Sequence, residues 1–143
     1  MKNRLLLFSV IMISIVTFSS CSKDDNSVDP AQTEQNVQSG TWRVTLFNNS
    51  GENKTSYFSG YNFIFNQNGS VSASNGTVTQ NGTLSVFIDS GDTKFELSFP
   101  MTSGPFKEIS DDWKVVTQSA TKIELVNVSG GNGGTDYLTF EKN

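Results

Sequence analysis

The chain predicts an all-β fold: an antiparallel up-and-down meander of about eight strands closing into a barrel, with a two-sheet β-sandwich as the alternative. Three observations carry this. Apolar and polar residues alternate over short runs, Asn-Gly pairs punctuate those runs, and after residue 40 no stretch reads as a helix of any length.

The elements follow in order. TWRVTLFN, residues 41–48, sets Trp42, Val44 and Leu46 on one face and Arg43 and Thr45 on the other. In YNFIFNQ, residues 61–67, Tyr61, Phe63 and Phe65 alternate with polar Asn62 and Asn66. Asn68-Gly69, Asn75-Gly76 and Asn81-Gly82 are each a two-residue hairpin signal, because both residue types tolerate positive φ. They separate the strands SVSAS, TVTQ and TLSVFID. The turn DSGD, residues 89–92, leads into KFELSFP, with Phe95, Leu97 and Phe99 inward. A looser stretch holding Pro100, Gly104 and Pro105 precedes the last three strands, WKVVTQ, KIELVNV and DYLTFEK.

A meander has unpaired edges unless it closes, which favours the barrel. Eight strands leave room for packed side chains or one small ligand. The expected interior is Trp42, Val44, Leu46, Phe63, Phe65, Phe95, Phe99 and Trp113. These residues either line a pocket for a small apolar or amphipathic molecule or fill the barrel solid.

The N-terminus has its own logic. Lys2 and Arg4 precede a 14-residue apolar run, Leu5 to Phe18, and the small residues Ser19 and Ser20 stand before Cys21. That is the layout of a secretory signal over residues 1–20, too short for a membrane span of about 20 residues. Here FSSC resembles the lipobox of bacterial lipoproteins, in which the cysteine is acylated and becomes the mature N-terminus; a plain signal peptide with a chance Cys nearby is the alternative. The resemblance implies lipidation at Cys21 and attachment to a membrane without spanning it. Lys23, Asp24 and Asp25 follow within SKDDN, which resembles the surface-export signal of Bacteroidetes lipoproteins. That implies anchoring in the outer membrane on the cell surface; a solvated linker on a periplasm-facing protein is the alternative. Residues 21–38 read as a tether whose later part forms a short helix, with Asp29 as cap, Pro30 in the first turn and Gly40 at the exit. Residues 39–143 are the barrel domain.

Charge and composition exclude several functions. The net charge of −4 falls to −6 once Lys2 and Arg4 leave with the signal, which disfavours nucleic acid. With no histidine and one cysteine, the His-dependent nucleophilic triads and the usual zinc sites are missing. Carboxylates remain. Glu96 and Glu124 fall opposite the apolar residues of their strands and face water, and Asp111-Asp112 read as a turn entry, so paired-acid hydrolysis is not expected. DSGD and the Asp pair suit turns better than calcium, and the glycine-rich SGGNGGTD lacks the Gly-Lys-Ser/Thr ending of a phosphate loop. No catalytic residue, metal ligand or cofactor is assigned, and the chain is read as a monomer.

Gly40-Thr41-Trp42, a Gly-x-Trp opening the first strand after a short helical turn, resembles the lipocalin signature, and the run to DYLTFEK is similar to lipocalin-like lipoproteins of Bacteroidetes. The resemblance implies a ligand-binding barrel. Lipocalins usually set an Arg from late in the chain against that Trp, whereas here the only Arg after the signal is Arg43, beside it. Two functions are therefore expected: an envelope lipoprotein binding a small apolar or amphipathic molecule in its barrel, or a non-enzymatic envelope protein whose loops bind a protein or glycan.

Overall fold

In the computed structural model, residues 27–129 and 133–143 are described. The signal, Cys21, Lys23, Asp24 and Asp25 lie outside the described residues, as do Gly130 to Asn132 of the glycine-rich loop. Among the described residues there are nine strands: β1 (Trp42–Asn49), β2 (Glu52–Asn53), β3 (Asn62–Phe65), β4 (Ser70–Ser74), β5 (Thr79–Asp89), β6 (Asp92–Ser98), β7 (Asp112–Gln118), β8 (Lys122–Val128) and β9 (Thr135–Lys142). They form one antiparallel sheet in the order β2-β1-β3-β4-β5-β6-β7-β8-β9, and β9 pairs back onto β1. The sheet is thus a closed eight-stranded barrel, with β2 a two-residue appendage on the end of β1. Closure leaves no long edge to be templated by another chain.

Two of the three Asn-Gly pairs turn as their chemistry dictates, with Gly69 at φ +79° and Gly76 at φ +85°. Ser90 and Gly91 are both at positive φ, the backbone of a two-residue hairpin turn between β5 and β6. The third pair does not turn. Asn81 and Gly82 sit inside a single eleven-residue strand, opposite Ser72 and Val71, so the expected strands TVTQ and TLSVFID are one strand, β5. Gly82 is there for space. A Cβ at this inward-facing position would lie 2.8 Å from the Phe99 ring and 2.4 Å from the Ser98 carbonyl oxygen.

Two β-bulges reset the alternation. Val44 pairs with Phe140 and Leu46 with Thr139, so Thr45 is the extra residue in β1; Val116 plays the same part in β7. The bulge corrects one expectation. Leu46, assigned to the interior, is 37% exposed on the outer wall, and Phe47 is fully buried in its stead. The physical reason is the period of two: one inserted residue sends every later side chain to the opposite face.

Helices close the ends. α1 (Pro30–Val37) is capped by Asp29, whose carboxylate accepts from the Ala31 amide at 2.9 Å, and Pro30 occupies the first turn. An isolated helix of two turns is marginal in water. This one is held by burying Thr33 and Val37 and by a 2.8 Å bond from the Trp42 indole N–H to the Val37 carbonyl. Asn36 bonds Gln118, and Thr93 bonds the Val28 carbonyl. These partners stand at the start of β1, the start of β6 and the end of β7, so α1 covers one mouth of the barrel. Gly40, at φ +81°, then turns the chain into β1. At the opposite mouth lie a 3-10 turn (Thr55–Phe58) and α2 (Pro105–Glu108).

Candidate functional site

The barrel interior is the natural place for a site, and its own side chains occupy it. Trp42, Phe63 and Phe95 are fully buried, and Val44, Phe65, Phe99 and Trp113 nearly so. Phe140, projecting from β9, packs against Phe63, Phe65 and Phe95 at ring-centre distances of 5.2, 5.6 and 6.3 Å. Most of these contacts are edge-to-face, the arrangement favoured by the ring quadrupole. Each buried ring contributes roughly 1.5–3 kcal/mol by leaving water.

The mouth opposite α1 is sealed by two residues from irregular segments. Phe58, from the 3-10 turn, meets Phe47 at 5.7 Å and Phe106 of α2 at 5.4 Å. Phe106 also meets Tyr61 and Phe99 edge-to-face, at 5.1 and 4.9 Å. A polar clasp joins the two segments: Glu108 of α2 takes the Lys54 ammonium at 2.8 Å and the Asn49 amide at 3.1 Å. The Glu108 carboxylate raises the Lys54 ammonium above its ordinary range. Trp113 donates to the Ile109 carbonyl at 3.0 Å, fixing the exit of α2. Alternation points to the rings on strands. It carries no mark of Phe58 or Phe106, which sit in short irregular elements, or of Phe47, which a bulge displaces. Phe140 was findable, since Leu138 and Phe140 alternate within DYLTFEK and are both fully buried.

Trp42 has a partner that the sequence did not single out. The Lys142 ammonium stands 5.2 Å from the centre of its ring, a cation–π contact from the last strand to the first. Arg43 instead faces outward, donating to the Lys142 carbonyl and the Asn143 side chain at 3.2 and 3.1 Å and pairing with Glu141 at 3.5 Å.

The strand glutamates singled out by the sequence lie on the outer wall. Glu96 projects from β6 and Glu124 from β8, with β7 between them. Glu124 is bound by Lys122 at 2.6 Å and by the Thr117 hydroxyl at 2.6 Å, and these bonds hold its carboxyl below the usual range. Burial, and then the neighbouring Asp112 carboxyl, push Asp111 up. Asp92, in the hairpin turn, pairs with Lys114 at 2.7 Å. No group of three or more Asp, Glu, His or Cys side chains is placed to hold a metal among the described residues.

Shallow grooves open on the outside of the wall among the described residues. One, of about 330 Å³, is lined by Asn81, Gly82, Thr83, Ser98 and Pro100, where β5 passes the end of β6. Another, of about 290 Å³, runs over Lys94, Lys114 and Val126 to Val128.

A closed eight-stranded meander, with a buried Trp at the start of its first strand and a short helix across the adjoining mouth, fits the lipocalin-like fold. No family model matches the chain, and no curated protein does. Among solved structures, the chain is similar to a DUF4847 family protein from Bacteroides vulgatus (TM-score 0.53, 20% identity, covering 77% of this chain and 96% of that one). A weaker likeness is to a protein from Burkholderia xenovorans (TM-score 0.45, 15% identity, covering 100% and 99%). At 20% identity the first likeness bears on the fold alone.

Proposed function

We propose that this is a cell-envelope lipoprotein, anchored in the outer membrane through Cys21 and carried to the cell surface by Lys23, Asp24 and Asp25, that acts as a non-enzymatic interaction protein through the outside of a solid barrel. The observation that supports this is the interior: rings from β1, β3, β6, β7 and β9 fill it, and Val37 on one side and Phe58 with Phe106 on the other close its mouths. A drug-sized ligand needs a cavity of roughly 300–1,000 Å³, and opening one here would mean moving several packed rings. The outward Lys–carboxylate pairs and the absence of His and of a second Cys support a role without catalysis.

A second reading is a carrier for a small apolar or amphipathic molecule. It is favoured by the seal opposite α1, which is built from a four-residue helix and a four-residue 3-10 turn rather than from strands. Native mass spectrometry of the full processed chain in detergent separates the two. An apo mass, with no uptake from a mixture of lipids and hydrophobic metabolites, is expected. A co-purifying small mass that departs on unfolding would establish the carrier. The anchor is tested separately: Cys21→Ala should abolish labelling by radioactive fatty acid, and Asp24→Ala with Asp25→Ala should remove protease accessibility on intact cells. Unchanged accessibility would overturn the export-signal reading, and a wild-type protein that resists the protease would face the periplasm.

A further inference from the structure

From Thr55 to Ile88 the chain holds 34 consecutive residues without Asp, Glu, Lys or Arg. At its average charged content of 17%, such a run would carry about six charges, and protein surfaces are usually richer still. Folding gathers this run into one region of the wall, because β3, β4 and β5 are neighbours. Their inward side chains, Phe63, Phe65, Val71, Ala73 and Leu84, are core. Their outward side chains form cross-strand rows, with Ile64 opposite Ser72 and Ser72 opposite Asn81, and with Ser70 opposite Thr83 and Thr83 opposite Ser98. The result is a face rich in hydroxyls and amides, with Ile64, Val78, Phe87 and Ile88 of the same run exposed among and beside them. Ser74 and Thr79 satisfy each other at 3.0 Å. The side chains of Ser72, Asn81, Thr83 and Ser98 make no hydrogen bond to other described residues. Asn81, Thr83 and Ser98 also line the wide-open groove of about 330 Å³, whose lining, completed by Gly82 and Pro100, is mostly apolar.

We propose that this face binds a neutral carbohydrate, with the Asn81–Thr83–Ser98–Pro100 groove seating one sugar unit. This deepens the interaction-protein reading and rests on it. Ser, Thr and Asn each both donate and accept, as sugar hydroxyls do, whereas carboxylates only accept and ammoniums only donate. Covering neutral groups also avoids the desolvation cost of burying charges. Other partners fit less well. A nucleic acid or an acidic polymer needs Lys or Arg. A membrane surface needs an apolar, basic stripe. A stable protein partner needs aromatic or Arg anchors at the centre of its contact, and none stands in these rows.

The test is affinity electrophoresis of the full chain in detergent, through gels containing soluble neutral polysaccharides (a β-glucan, a mannan, a galactomannan) or acidic polygalacturonate. Retardation by at least one neutral polysaccharide and not by polygalacturonate is expected. The uncharged double substitution Asn81→Ala with Thr83→Ala should weaken it at least tenfold. Ser98→Ala, from the neighbouring strand, should weaken it too, and Val126→Ala on the far wall should leave it unchanged. All four positions are on the outside, so the circular dichroism spectrum should not alter. Retardation by the acidic polymer alone, none by any neutral one, or equal retardation of the double variant would overturn the proposal. A ligand inside the barrel in the native mass spectrum would instead remove the interaction-protein reading, so the two failures are distinguishable.

Discussion

Thr45 and Val116 each occupy a place in a strand with no residue opposite, and the consequences appear at single side chains. Leu46 and Phe47 are neighbours of similar hydrophobicity with opposite fates, one on the outer wall and one fully buried. Phe47→Ala should cost about 3–5 kcal/mol of stability in chemical denaturation, and Leu46→Ala under about 1 kcal/mol; the reverse ranking would mean that the bulge lies elsewhere. A second residue-scale prediction concerns pH. Glu124 ionises more readily when folded, because Lys122 and Thr117 bind its carboxylate. Its contribution is therefore fully present above its ordinary value of 4.5 and is lost as pH falls through the lowered folded value. Glu124→Gln should be less stable than the wild type at neutral pH, and the gap should close on acidification. A gap that is independent of pH would show that the ion pair is not its source.

The two mouths differ as elements. α1 is tied down by a buried indole hydrogen bond and by Val37 in the core, so its N-cap has only a local task. The seal at the other mouth depends on ring packing around Phe106, clasped by Glu108. Phe106→Ala should destabilise by about 3–5 kcal/mol and leave an apolar void under Phe58, Tyr61, Phe63 and Phe99. Apolar voids of this kind stay dry and take up xenon or benzene. Xenon-induced shifts in the NMR spectrum of the variant, absent from the wild type, are the expected result. Equal shifts in both proteins would mean that the native interior is already open.

The whole barrel has a strong and a weak seam. β5 and β6 match along seven residue pairs, and β1 meets β9 along six across its bulge, whereas β1 meets β3 at the single pair Trp42–Phe63. Beyond that pair the two strands diverge, and the 3-10 turn with its Phe58 fills the gap: the Thr55 hydroxyl accepts from the Phe47 amide at 2.8 Å, and the Lys54 backbone amide donates to the Phe47 carbonyl at 2.8 Å. Local opening should start there. Amide hydrogen exchange along β3 and the 3-10 turn should run faster than in β5 and β6, by opening events well below the global unfolding free energy. Uniform protection would show that the barrel opens only as a unit.

The strand segments, the hairpin turns at Gly69, Gly76 and Gly91, the cap at Asp29 and the inward placement of Trp42, Phe63, Phe95 and Trp113 follow from the sequence alone. Each of these is set by local covalent geometry: the two-residue pleat, the tolerance of Gly and Asn for positive φ, the reach of one carboxylate to the next amide. Closure into a barrel, expected from the edges a meander would otherwise leave, is met by β9 pairing with β1. The straight passage of Asn81-Gly82 through β5, the exchange of Leu46 for Phe47, the Lys142–Trp42 contact and the sealing of the interior by Phe58 and Phe106 were decided by the tertiary structure. In every one of them the deciding partner is distant in sequence. Phe99 needs the space that Gly82 leaves, β9 sets the register that makes Thr45 a bulge, and rings from opposite sides of the barrel have to meet before either mouth is closed.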